Sequence, residues 1–493
     1  MKHILVSAAF LAVSCLAAAC ETNEAASEPS LPPLSFEELI NPESCKECHA
    51  THYEQWSGSM HAYAATDPVF LAMNRRGQEE TGGAMGNFCV KCHAPMAVYD
   101  KLTIDGLNLD ALGHEDRGVT CYFCHSVVGV DGTHNAQLQI AADSTLRGPY
   151  ADALPTLAHG TEQSRLFDEN ALESSQMCGA CHDIIMPKGI AIERTFKEYE
   201  ASLFSKSTLS DTPPFSTCVG CHMPGRKSAI ADVPGAPERI AHEHFWPGID
   251  VAFGDFPHRE AMRSAIEDCQ LGNASVSYFS LEVSPPNLFT FLIETNAGHN
   301  QPSGASQDRR MWLELLAYDE DGELIAEASS GNIADGELEE KPPGDPKHDP
   351  QLVLFGDRIF DERGKRVHMF WDAAKSAAYP KGYESLSLPP ASTTYIEGRH
   401  VIVKQLRAPA PDGLPARITA RLRIRPIGID VLDDLVQSGD LDPALVAEMP
   451  TFTFGAQISW SRADGTHKPI YAQIRNDCTT YRCLLDPNEP SCK

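Results

Sequence analysis

Five copies of Cys-x-x-Cys-His stand in the first half of the chain, at Cys45–His49, Cys89–His93, Cys121–His125, Cys178–His182 and Cys218–His222. A shuffled chain with the same 16 cysteines and 19 histidines would carry roughly 0.02 copies. The motif attaches a c-type haem: the two thiols add across the vinyl groups, and the histidine that follows supplies an axial nitrogen to the iron. This constrains the fold strongly. Residues 45–222 offer about 36 residues per motif, too few for an ordinary apolar core around each. The porphyrins themselves must be the core, wrapped by short helices and loops, and they must lie close to one another. The expected cofactor is five covalently bound c-type haems. The covalent sites are Cys45, Cys48, Cys89, Cys92, Cys121, Cys124, Cys178, Cys181, Cys218 and Cys221, and the proximal ligands are His49, His93, His125, His182 and His222.

Each iron has a second axial position. The histidines outside the motifs are the natural donors, because a neutral imidazole is a good metal ligand. His134 stands in Gly132-Thr133-His134-Asn135. His299 opens His299-Asn300-Gln301-Pro302-Ser303-Gly304 between two predicted strands, where it could reach from one domain onto a haem of the other. His114, His242 and His258 are reserves. Met60, Met85, Met96 and Met223 are weaker candidates.

The leader supports this chemistry, since c-type haems are attached outside the cytoplasm. Met1–Cys20 has a short polar start, an apolar stretch over Ile4–Ala19, and Leu16-Ala17-Ala18-Ala19-Cys20 at its end. That reads as an export signal with a lipobox, with Cys20 the lipidated residue and Ala17 where leucine is more usual. Cys15 is a weaker site, and ordinary cleavage near Ala19 would leave a soluble product. Residues 21–40 read as a flexible tether, most polar over Glu21–Pro33. The expected location is periplasmic or cell-surface, on a lipid anchor. Net charge is −28, which argues against nucleic acid and suits a redox partner with a basic docking surface.

Residues 41–270 form the expected haem domain, closed by a helix over Pro257–Gln270. Beyond it the pattern alternates. Val276–Val283, Leu288–Thr295, Met311–Tyr318, Glu323–Ala328, Leu352–Phe360, Lys365–Trp371, Tyr395–Leu406, Ala416–Ile424 and Phe452–Trp460 read as strands. Asp319–Gly322 and Asp361–Gly364 read as hairpin turns, and Asp430–Met449 as helical. The expected fold is therefore multidomain: a mainly α and irregular multihaem cytochrome domain, then an antiparallel β-sandwich over 271–475, then a cysteine-containing tail over 476–493. Cys269, Cys478, Cys483 and Cys492 suit two disulfides in an oxidising compartment, with connectivity open.

The segment Cys45-x-x-Cys48-His49-x-x-x-Tyr53-x-x-Trp56-x-x-Ser59-x-His61-Ala62 resembles the opening of the cytochrome c-554 family, relatives of hydroxylamine oxidoreductase. The resemblance continues through Gly118-Val119-Thr120-Cys121, Gly148-Pro149-Tyr150 with His159, Cys178–Asp183, and Thr195-Phe196-x-x-Tyr199. It ends with Cys218–Pro224 and His244-Phe245-x-Pro247-Gly248, covering roughly residues 40–300. It implies distal ligation by the histidine at His61, and iron demand together with the pattern adds His159 and His244. The distal candidates are then His61, His134, His159, His244 and His299.

Two functions fit. One is an electron carrier with mostly bis-histidine irons. The other is a multihaem reductase or oxidase with one open iron acting on a small nitrogen or sulfur oxyanion or a peroxide. Pentahaem nitrite reductases replace one motif histidine by lysine, and all five motifs here end in histidine. Hydroxylamine oxidation in the related group needs a tyrosine-linked haem and more than five haems, and nothing in the sequence indicates either. The carrier is the favoured reading, with no catalytic residue assigned.

Overall fold

The computed structural model describes residues 33–153, 158–206, 216–233, 235–274, 276–333, 338, 340–341, 343–406, 408–410, 412–472, 477–486 and 492. The expected leader, Cys20 and most of the tether lie outside the described residues. Among the described residues, no helix is long and apolar enough to cross a membrane.

The first half is built from short pieces. Its longest helix, Pro68–Glu80, is capped by the Asp67 carboxylate, which accepts the Val69 N–H at 3.0 Å. The haem motifs are themselves helical turns. Thr120 caps Cys121–His125 and Thr217 caps Cys218–His222, each hydroxyl accepting an orphan N–H of the first turn. Cys178 and Cys181 end the helix Leu172–Cys181. One turn separates the two cysteines of a motif, so both thiols emerge on one face with the histidine just beyond. Two-stranded sheets fill the gaps, such as Gly225–Ala229 with Glu238–His242.

The second half is organised by strands. Arg399–Gln405, Leu288–Thr295, Val276–Ser284 and Ile470–Tyr471 form one four-stranded sheet in that order. Val353–Phe355, Arg310–Tyr318, Arg417–Arg425 and Phe452–Ser461 form another. All the strand pairings in both sheets are antiparallel. In Leu288–Thr295 the alternation puts Phe289, Phe291 and Ile293 inside. Residues of both sheets join one apolar cluster that includes Phe289, Phe291, Leu313, Leu422, Phe452 and Trp460.

Several local expectations change. Leu352–Phe360 is not one strand. Gly356 sits at φ +140° and turns the chain, so Val353–Phe355 and Asp357–Phe360 pair in different sheets. Only Arg399–Gln405 of the predicted Tyr395–Leu406 is extended, because Glu397 closes a capping box with Thr394 and coils the start. Glu323–Ala328 and Lys365–Trp371 shorten to a bridge, a two-residue strand and 3₁₀ turns. The predicted closing helix runs as Arg259–Ser264 and continues in π form to Ala274. The helical pattern after residue 429 resolves into helix Ile429–Ser438 and a 3₁₀ turn at Pro443–Glu448.

The late cysteines pair as Cys269–Cys478 and Cys483–Cys492. The first pair joins the end of the closing helix to the tail. Tyr481 then donates to Glu243 Oε2 at 2.6 Å and Arg482 to Oε1 at 2.7 Å, so the tail packs onto the haem half.

Candidate haem cavity

A single cavity of about 1870 Å³ runs through the molecule. Pockets for one small molecule are roughly 300–1,000 Å³, and a well-packed interior keeps few voids larger than a water. All ten motif cysteines and all five motif histidines line it. The ten thiols are free, whereas the four late cysteines are oxidised to disulfides. Among the described residues, no three His, Cys, Asp or Glu side chains gather around a point as a bare-metal site would require. Spaced thiol pairs, each with an imidazole beside it, along one large cavity are the donor set a c-type haem needs. The residues fit the group.

The imidazoles are oriented for ligation. His49 Nδ1 lies 3.0 Å from the Ile230 carbonyl, His93 Nδ1 2.9 Å from Ala64, His125 Nδ1 2.6 Å from Arg147, and His222 Nδ1 3.1 Å from Pro247. An Nδ1–H donated to a carbonyl leaves the Nε2 lone pair for a metal and fixes the ring. Burial lowers the pKa of His49, His93, His125 and His182, and takes His222 down to about 4, so all five are neutral at ordinary pH.

Four of the five sequence-predicted distal histidines reach this cavity: His61, His159, His244 and His299. Metal–imidazole bonds of about 2 Å on opposite sides of one ion put ring centroids about 6.3 Å apart. His61 and His182 stand at 6.2 Å, His125 and His244 at 6.2 Å, and His222 and His299 at 6.3 Å with rings within 17° of parallel. Burial lowers His61 to about 3 and leaves its Nδ1 without a hydrogen-bond partner. His244 Nδ1 faces the His242 carbonyl at 2.8 Å, and His299 Nδ1 the Asn300 carbonyl at 2.9 Å. His159 is close enough to His49 to add to the lowering that burial imposes there.

His93 differs. The ring against it is Phe70, stacked at 3.9 Å, and no histidine ring faces it at bridging distance among the described residues. His134 does not line the cavity: its Nε2 lies 3.1 Å from Gln137 Nε2 in the turn between two short strands. Among the reserves, His242 lines the cavity, while His114 packs on Trp56 and His258 meets Glu54 outside it. Met60 and Met223 line the cavity, but Met85 and Met96 are buried in apolar clusters.

His52 was not singled out from the sequence. It lines the cavity, its ring is 4.8 Å from His244, and burial lowers it to about 4. Its signal was its place three residues after His49, on the face of the helix that the motif opens.

Thiols of different motifs also meet. Cys45 lies close enough to Cys121 to push its thiol up, as do Cys218 to Cys178 and Cys92 to Cys181. The first and third motifs therefore adjoin, as do the fourth and fifth and the second and fourth.

Residues 44–126 match the profile of the cytochrome c554 and c-prime family. A penta-heme cytochrome c552 from Thermochromatium tepidum has a similar fold, with a TM-score of 0.56 at 21% identity over 86% of this chain and 99% of that one. No curated protein matches this chain.

Proposed function

We propose that this chain, a multihaem c-type cytochrome of the cytochrome c554 family, is an exported five-haem carrier that passes electrons between redox proteins. The observation that supports this reading is the nearness of thiols from different motifs, which would bring neighbouring haems close together. When bound, haem supplies a one-electron couple and an iron with two axial positions. The protein's part is to hold those groups edge to edge and keep water away. His182 with His61, His125 with His244, His222 with His299, and His49 with His159 are the axial pairs we assign. The second, sheet-bearing half, read as a β-sandwich, presents His299 and shields one side of the cavity. A net charge of −28 suits a partner with a basic docking face.

A second reading is favoured at one position only. No histidine ring faces His93 at bridging distance among the described residues, so the second haem would be open and able to bind a small nitrogen or sulfur oxyanion or a peroxide.

Intact mass and a pyridine haemochrome assay should give five haems per chain, and four or fewer in matured protein would sink the assignment. Electron paramagnetic resonance of the oxidised protein should show four low-spin irons and one high-spin. His299→Ala should convert one more iron to high spin. An unchanged spectrum would remove His299 from the ligand set.

The anchor proposed at Cys20 has a separate check. Cys20→Ser should free the protein from membranes or stop its processing. Full membrane association with an unlipidated N-terminal peptide would exclude the anchor.

A further inference from the structure

Three segments meet at one wall of the cavity: the strand Ala191–Glu193, the loop around Asp250, and the loop 296–309 that carries His299. Glu193, Asp250, Asp308 and Arg309 all line this wall. Arg309 is fully committed. Its Nη1 and Nη2 donate to the two Asp250 oxygens at 3.1 Å each, its Nε to the Ser303 carbonyl at 2.9 Å, and Nη1 also to the Pro426 carbonyl at 3.3 Å. One guanidinium is thus matched to one carboxylate, and two carboxyl groups remain.

Glu193 closes over the same glycine as Arg309. A Cβ on Gly304 would stand 3.3 Å from Arg309 Nη2 and 3.8 Å from Glu193 Oε1. Asp308 is 6% exposed, and its Oδ1 is buried with no hydrogen-bond partner. Its Oδ2 has only a long contact of 3.4 Å from Gln307 Nε2. A buried carboxylate oxygen with no donor is costly, and a proton relieves that cost. Burial pushes Glu193 up to about 7 against the opposing pull of Arg309, and Asp308 up to about 6 against Arg310, Arg309 and His368.

The other charged groups around the cluster have partners of their own, and the cations among them lower the two carboxyls without outweighing burial. Asp183 pairs with Arg194 at 3.1 Å. Arg310 is held by Asp430 at 2.8 Å, and His368 lies between Asp430 and Asp434 at 3.4 and 3.1 Å. Asp67, which also lines the cavity, feels the Asp250 charge. A bare cation is a poor occupant, because a guanidinium already stands within the cluster.

We infer that Glu193 and Asp308 form a proton-binding site linked to the redox state of the cavity. One electron delivered by the donor protein is matched by one proton taken from solvent onto this carboxyl pair, and both leave on reoxidation. The driving force is electrostatic: an added negative charge in a low-dielectric cavity raises the proton affinity of carboxyls that face it. The coupling path is short, since Asp308 and Arg309 share the loop 296–309 with His299 and all three line the cavity. The inference rests on haem filling the cavity, as proposed above.

The test is a spectroelectrochemical titration of the full-length, haem-loaded protein from about pH 5.5 to 8.5, spanning both carboxyls. The midpoint of at least one haem should fall as pH rises, by at most about 59 mV for each tenfold change in proton concentration. Glu193→Gln should remove most of that slope and hold the potential near the wild-type low-pH value. Asp308→Asn should reduce it as well. Redox-difference infrared spectra should show a protonated-carboxyl band that appears on reduction, shifts in D₂O, and is lost in Glu193→Gln. A flat wild-type profile, or wild-type slope and band in both variants, overturns the site. The haem count separates the two readings: too few haems defeats the functional assignment, whereas five haems with an unaltered slope defeats only the proton site.

Discussion

The two halves of this molecule solve the problem of an interior in different ways. After residue 275 the chain makes its own core: strands of up to ten residues alternate, and two sheets feed one continuous apolar cluster. Before that, the apolar clusters of the haem half alone are small, such as Leu39, Met96, Tyr122 and Phe123, or Phe196, Tyr199 and Phe204. They sit around a cavity lined by thiols and imidazoles. Short helices of four to eight residues are below the length at which helices hold themselves in water. One half is organised by its side chains, and the other, on the function proposed above, by haems attached to it.

The largest effect should come from removing those groups. Replacing all ten motif cysteines by alanine leaves the second half its core and both late disulfides. The first half loses what its helices pack against. Limited proteolysis with mass spectrometry should then digest residues 33–250 rapidly, while a fragment beginning near residue 259 resists. Equal protection of both halves would break the comparison, because it would show the first half folding on its small clusters alone.

The difference also explains what could be read from the sequence. The Cys-x-x-Cys-His pattern recurs as five local motifs, so the thiols and histidines that line the cavity were legible without a fold. The place of His299 at the cavity was legible as well, because a histidine among Gly, Pro and Ser between two strands is exposed to whatever adjoins that loop. His134 has a similar local setting but is used in its own turn by Gln137, and no local signal separates the two. His52 was hidden for the opposite reason: three residues from His49, it read as part of the motif's own helix. The alternating strands were legible where burial is one-sided, as in Leu288–Thr295. The break at Gly356 was not, since a lone glycine in an apolar run fits a bulge, a bend or a plain strand.

A subtler test lies at the junction of the halves. Arg76, on the long helix of the first half, donates to Asp434 at 3.0 Å, and Trp371 Nε1 donates to Glu80 at 2.7 Å. Asp434 and Asp430 share the helix Ile429–Ser438, and Asp430 holds the buried Arg310 through two bonds of 2.8 Å. His368 bridges both carboxylates. Burial alone would push Asp430 up, but His368 and Arg310 together hold it well below its ordinary 3.8; Asp434 is likewise lowered against burial by Arg76 and His368. The hydrogen bond to Asp430 raises His368 above its ordinary 6.5. The signs then define a window. The carboxylates stabilise the junction above their ordinary values and lose that contribution as pH falls. The histidine stabilises it fully below 6.5 and loses its contribution as pH rises through the higher folded value. Thermal unfolding should therefore show the junction strongest between roughly pH 4.5 and 6.5. Asp430→Asn should flatten that maximum and cost about 2–3 kcal/mol, less than a fully buried pair because Asp430 is partly exposed. The haem spectra should be unchanged, since none of these side chains is an iron ligand in this assignment. A stability profile that keeps its shape in Asp430→Asn would show that the halves are joined by packing and the shared cavity, with the ion pairs contributing nothing measurable.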